Sequence, residues 1–149
     1  MSTPCKGRYG RCPVALVPRR AGVLSAGIEL PDRSVAGLRE EVAAAAARLT
    51  GSPRIVVVGC AHDADSAALA DERTAVIGLP CVGMLPPSFL DFVLSRHYAE
   101  GVLLSGCAAH DCYERLGDEW VEQRIANERD PNLRARVPRD RIAVAWNNP

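Results

Sequence analysis

Four short apolar runs punctuate the chain: Arg54-Ile55-Val56-Val57-Val58-Gly59, Thr74-Ala75-Val76-Ile77-Gly78-Leu79, Gly101-Val102-Leu103-Leu104-Ser105-Gly106 and Arg141-Ile142-Ala143-Val144-Ala145-Trp146. They are continuous rather than alternating, as in parallel strands covered on both faces. Each is about six residues long, which is strand length rather than helix length. Between the runs the period changes. Ser34 to Leu49 sets Val35, Leu38, Val42, Ala46 and Leu49 at helical spacing, with Asp32 or Arg33-Ser34 available as the cap. A short Ala-rich helical segment follows from Asp63 to Asp71. Pro87 to Tyr98 opens on a proline pair suited to a first turn and carries Phe89, Leu90, Phe92, Val93 and Leu94. Asp111 to Asn127 places Leu116, Trp120, Val121 and Ile125 at helical offsets among many charges. This alternation predicts an α/β fold over residues 34–149. It should be a single domain with a mostly parallel four-stranded sheet flanked by helices, Rossmann- or flavodoxin-like, with right-handed crossovers. Residues 1–33 are rich in Pro, Gly and Arg and break the rhythm, so they read as an N-terminal arm or docking segment.

Composition narrows the function. With 149 residues, the chain suits one domain with a real core. Eighteen basic side chains balance eighteen acidic ones, which excludes a general electrostatic grip on nucleic acid or an anionic membrane. No apolar run approaches the roughly 20 residues of a membrane span. The start, with Pro4, Cys5, Lys6 and Arg8, lacks the apolar core of a signal peptide, so a cytoplasmic protein is expected. Six cysteines in such a reducing compartment point to metal or redox chemistry before structural disulfides.

Four of those cysteines sit where the strand runs end. Cys60 follows the first run, Cys81 the second after Pro80, and Cys107 the third after Gly106; Cys112 lies near the start of the next helical segment. Strand C-termini of an open parallel sheet share one edge, and ligands bind along it, so the four can converge. Gly59, Gly83 and Gly106 stand beside them, where glycine allows sharp turns and close approach of backbone amides. Four thiolates suit a [2Fe–2S] cluster, a [4Fe–4S] cluster or a structural zinc in an interaction module. Their spacing matches neither a zinc ribbon nor a bacterial ferredoxin run, and each cysteine alone also fits a small buried hydrophobe.

Other residues carry weaker signals. Cys5 and Cys12 are half of a second metal site, a redox pair, or plain thiols on the arm. His62 and His110 can donate N–H bonds near a cluster, and His62 or Asp63 can stand in for a thiolate ligand. Arg134, Arg136, Arg139 and Arg141 form a basic stretch that either docks an acidic partner face or is a solvated loop. Arg124 and Glu128 read as a surface i,i+4 pair. No phosphate-binding, dinucleotide-binding or nucleophile-elbow motif is present. The catalytic alternative is a thiol enzyme with Cys107 at a helix N-terminus beside His110, which leaves the other three cysteines without a role.

The stretches Leu79-Pro80-Cys81-Val82-Gly83-Met84-Leu85-Pro86-Pro87-Ser88-Phe89-Leu90 and Glu100-Gly101-Val102-Leu103-Leu104-Ser105-Gly106-Cys107-Ala108-Ala109-His110-Asp111-Cys112-Tyr113 resemble a known family. It is the delta subunit of methyl-viologen-reducing hydrogenase, also described as the hydrogenase iron–sulfur subunit family. Its pattern is C-x-G, a proline-led helix, then G-V-L-x-x-G-C-x4-C with Asp before the second cysteine. The resemblance covers roughly residues 54–146. It implies a non-catalytic electron-transfer subunit of an oxidoreductase complex carrying a [2Fe–2S] cluster. The implied ligands are Cys81, Cys107 and Cys112, with Cys60 as the fourth. The implied partners are a hydrogenase or formate dehydrogenase and a flavin-containing subunit similar to heterodisulfide reductase A. The family usually has C-x2-C after the first strand, whereas Cys60-Ala61-His62-Asp63 keeps only the first cysteine.

Overall fold

The computed structural model describes residues 33–63 and 65–147; the arm proposed over 1–33, with Cys5 and Cys12, lies outside the described residues except for Arg33. The four apolar runs become β1 (Ile55–Cys60), β2 (Thr74–Leu79), β3 (Gly101–Gly106) and β4 (Ile142–Trp146). All pair in parallel, in the order β2-β1-β3-β4. Burial on both faces is a property of β1, which has a neighbour on each side. At the edges it fails: β2 buries alternate residues and β4 is only half-buried.

Three helices, α1 (Val35–Ala46), α2 (Pro87–Ser95) and α3 (Gly117–Ala126), complete the domain. The Ser34 hydroxyl caps α1 by accepting the Gly37 N–H at 3.0 Å. Pro87 starts α2, where its missing N–H costs nothing. Val56 and Val58 of β1, Ile77 and Leu79 of β2, and Val102 and Leu104 of β3 share one core with Val42, Phe89, Leu90, Val93 and Val121 of the helices. The β1–β2 connection runs over the other face, where Ser66 packs against Gly59. That division follows from right-handed crossovers: the chain moves one way from β1 to β2, then back across β1 to β3. The connection contains only a 3-10 turn, Ser66–Leu69, in place of the helix expected over Asp63 to Asp71.

The last helix differs most from its sequence pattern. It begins at Gly117, not near Asp111, and residues 107–116 form a loop. His110 and Arg115 take left-handed backbone angles, φ 63° and 73°, which interrupt a helix. Leu116, expected in the apolar stripe, is therefore exposed, while Asp118 is buried and accepts the His110 N–H at 2.8 Å. Cys107 accordingly does not stand at a helix N-terminus, and Cys112 precedes the helix by a tight turn in which Arg115 N–H bonds the Cys112 carbonyl at 2.8 Å. At the other end, left-handed Asn127 folds the chain back so that the Glu128 N–H meets the Gln123 carbonyl. No Arg124–Glu128 ion pair forms among the described residues.

The basic stretch is partly structural. Arg134 and Arg136 close on Asp91 of α2 at 3.0 and 2.5 Å, fixing the loop before β4 to that helix, while Arg139 and Arg141 stay exposed. The Asp91 side chain is 6% exposed, and its bonds to Arg136 and then Arg134 hold its carboxyl below the usual range. A depressed folded pKa gives stability that is present above the unfolded value of about 4 and is lost as pH falls through the folded one. Asp91→Asn should cost about 2 kcal/mol at pH 7, the scale of charge-assisted bonds. Chemical denaturation from pH 7 to pH 2.5 checks this: the gap between variant and wild type should narrow on acidification.

Candidate functional site

β1 is flanked by β2 and β3, so the carboxyl ends of three strands meet at one edge where the strand order reverses. In open α/β sheets that reversal creates the ligand crevice. The cysteines lie along it. Cys60 is the final residue of β1, Cys81 lies just beyond β2, and Cys107 directly follows β3. Cys60 and Cys81 are 4% and 7% exposed; Cys107 and Cys112 are half-buried.

The thiols meet one another. Cys81 neighbours Cys60, and the sulfurs of Cys81 and Cys112 both lie against Gly117. The Cys60 sulfur accepts the Val82 N–H at 3.1 Å, with Cys107 close by. The neighbouring Cys81 thiol, and then the Val82 amide, hold the Cys60 thiol below its ordinary pKa against the opposing effect of burial. The Cys60 thiol and burial push Cys81 upward, although its sulfur accepts the Gly83 N–H at 3.3 Å. The short 3-10 turn Val82–Met84 presents both amides, so the turn after β2 binds two sulfurs. Among the described residues no group of three or more His, Cys, Asp or Glu side chains surrounds a point as metal ligands do.

Glycines make this contact possible. A Cβ on Gly117 would stand 2.6 Å from the Cys81 sulfur and 3.0 Å from that of Cys112. A Cβ on Gly83 would meet the Gly117 backbone at 2.8 Å. Gly106 holds the Trp146 ring, which a Cβ would meet at 2.7 Å, with the Cys60 sulfur at 3.5 Å. Gly117 is the residue that the helical pattern concealed, and glycine inside an apparent helix was the available signal of a break.

The non-cysteine candidates are otherwise engaged. Buried Asp63 accepts from the Ser105 hydroxyl at 2.5 Å and from Asn147 Nδ2 at 2.8 Å. It thereby ties the loop after β1 to the ends of β3 and β4. His62 stacks on exposed Tyr113 at 3.8 Å, on the loop that carries Cys112. The His110 backbone is held by Asp118. A cavity of about 300 Å³ opens beside the cluster, walled by Cys81, Gly83, Met84, Gly117 and Trp120.

Gly117→Ala tests the packing without any bound group. Glycine to alanine in a helix ordinarily stabilises by about 1 kcal/mol. Here the added methyl strikes two sulfurs, so the variant should instead lose about 1–3 kcal/mol, as overpacked cores do. Thermal melting of the metal-free protein reads the sign.

Among curated proteins none matches the chain. A sequence model of the family described as methyl-viologen-reducing hydrogenase, delta subunit, matches residues 55–149. The matched segment starts with β1 and includes all four strands, α2, α3 and the four clustered cysteines. Residues 55–149 are well over half of the chain, and the chain therefore belongs to the methyl-viologen-reducing hydrogenase delta-subunit family.

Proposed function

We propose that this hydrogenase-related subunit is an iron–sulfur electron-transfer protein, with a [2Fe–2S] cluster on Cys60, Cys81, Cys107 and Cys112. Its function is to pass electrons between a hydrogenase- or formate-dehydrogenase-type partner and a flavin-containing partner similar to heterodisulfide reductase A. The observation that carries this reading is the convergence of four cysteines on one sheet edge, from three strand ends and one loop, all inside the family-matched segment.

The surroundings fit such a group. All four candidate donors are sulfur, the donor set of the all-cysteine iron–sulfur sites. The Val82 and Gly83 amides already donate to two of the sulfurs, and the same bonds stabilise thiolate charge. Glycine at 83, 106 and 117 keeps side chains away from the sulfurs. Asp63 is committed to Ser105 and Asn147, which supports an all-cysteine donor set over one that includes this carboxylate. A bound cluster supplies one-electron redox chemistry. The chain's part is to hold four sulfurs, exclude water from Cys60 and Cys81, and leave Cys107 and Cys112 nearer the surface.

A thiol enzyme fits less well. The cysteine with the lowered pKa, Cys60, is buried, and Cys107 lies well ahead of the helix start that was to activate it. Among the described residues no helix is long and apolar enough to cross a membrane, and the reading fits a subunit working in the cytoplasm.

Anaerobic purification or reconstitution, followed by iron, sulfide and zinc analysis, checks the proposal. The protein should be brown, with ~2 iron and ~2 sulfide per chain. Serine at position 60, 81, 107 or 112 should abolish or alter the absorption, whereas serine at 5 or 12 should leave it unchanged. A colourless protein holding one zinc, or a metal-free protein after reconstitution, contradicts the reading.

A further inference from the structure

Arg124, in the last turn of α3, is the anomalous charge of this molecule. Its Nη1 donates to the Gly83 carbonyl at 2.7 Å. Its Nε is buried without a partner, the one such side-chain nitrogen or oxygen atom among the described buried groups. The guanidinium has no carboxylate: the ion pairs of the described residues use Arg33, Arg54, Arg134 and Arg136. The charged neighbour that acts on it is Arg129, a second cation, whose own guanidinium lies 4.6 Å over the Trp120 ring. With Val82, Leu85, Leu90, Leu104 and Val121, Arg124 lines a small cavity under the helix. Burial accordingly pulls its pKa down.

A half-buried cation with no carboxylate beside it gives up part of its hydration without an ion pair in return. Placement near a helix C-terminus repays part of that cost, but the same gain is available on the exposed side of α3. What this position adds is contact with the turn that borders the cysteine cluster. Gly83, whose carbonyl Arg124 grips, donates its N–H to the Cys81 sulfur and packs on Gly117, which lies against both Cys81 and Cys112. The cysteine site and a cation with no carboxylate partner among the described residues meet at a single residue, Gly83.

We infer that Arg124 is a positioning and charge-compensating residue for the cluster: it fixes the Gly83 turn against the sulfurs and raises the reduction potential. The inference rests on the proposed iron–sulfur reading. Reduction adds one electron, and one negative charge, to the site. A nearby cation favours the reduced form more than the oxidised form, and the half-burial of Arg124 reduces the screening of that preference.

Redox titration of the reconstituted full chain tests this with Arg124→Met, which keeps an apolar stem, and Arg124→Lys, which keeps the charge. Relative to wild type, R124M should lower the one-electron reduction equilibrium at least tenfold, a midpoint fall of about 59 mV. R124K should recover most of that fall. If R124M does not take up iron, R124Q takes its place with the same expected fall. A cluster-bearing neutral variant with an unshifted midpoint overturns the inference while leaving the cluster in place, and so does R124K shifted as far as R124M. Failure of the wild type to bind iron overturns the iron–sulfur reading itself, and metal analysis detects that before any variant is made.

Discussion

Parallel pairing of β1 with β2 on one side and β3 on the other is the constraint on which the site depends. With all three strands pointing the same way and in register, Cys60 lies opposite Leu79, and Gly59 lies opposite Ser105. Residues two positions beyond Leu79 and Ser105, Cys81 and Cys107, must then emerge beside Cys60. An antiparallel arrangement would send the end of each neighbouring strand to the opposite edge. The fully buried apolar run of β1 enforces the central position, because both its faces and both its edges are covered.

Around that edge the chain uses backbone more than side chains. The turn after β2 contributes amides, Gly106 and Gly117 contribute the absence of a Cβ, and Asp63 gathers the ends of β3 and β4 under the loop after β1. The result is a sulfur-rich, half-sheltered patch with bound N–H groups and one half-buried cation at its rim. Such surroundings suit a centre that changes charge without changing ligands.

Much of this was legible in the sequence, for a physical reason. Strand runs such as Ile55–Gly59 are dictated by local composition, and in a parallel sheet locating the strand ends also locates the edge residues. The helix starts at 34 and 87 carry their own chemistry in Ser34 and Pro87. What escaped depends on contacts between distant segments. The start of α3 is set by Gly117 fitting under two sulfurs, not by the periodicity of Leu116 and Trp120. Arg134 and Arg136 read as a docking face or a solvated loop because their partner Asp91 lies far off in sequence, on α2. Arg124 read as half of a surface pair, because its half-burial depends on the turn after β2.

The most direct test of the account is iron-edge X-ray absorption on the reconstituted full chain, which reads the atoms bound to the metal. An iron first shell of sulfur alone is the expected result, as four cysteine thiolates and inorganic sulfide would give. Nitrogen or oxygen in that shell, from a residue such as His62 or Asp63, would contradict the claim that the four clustered cysteines alone form the site.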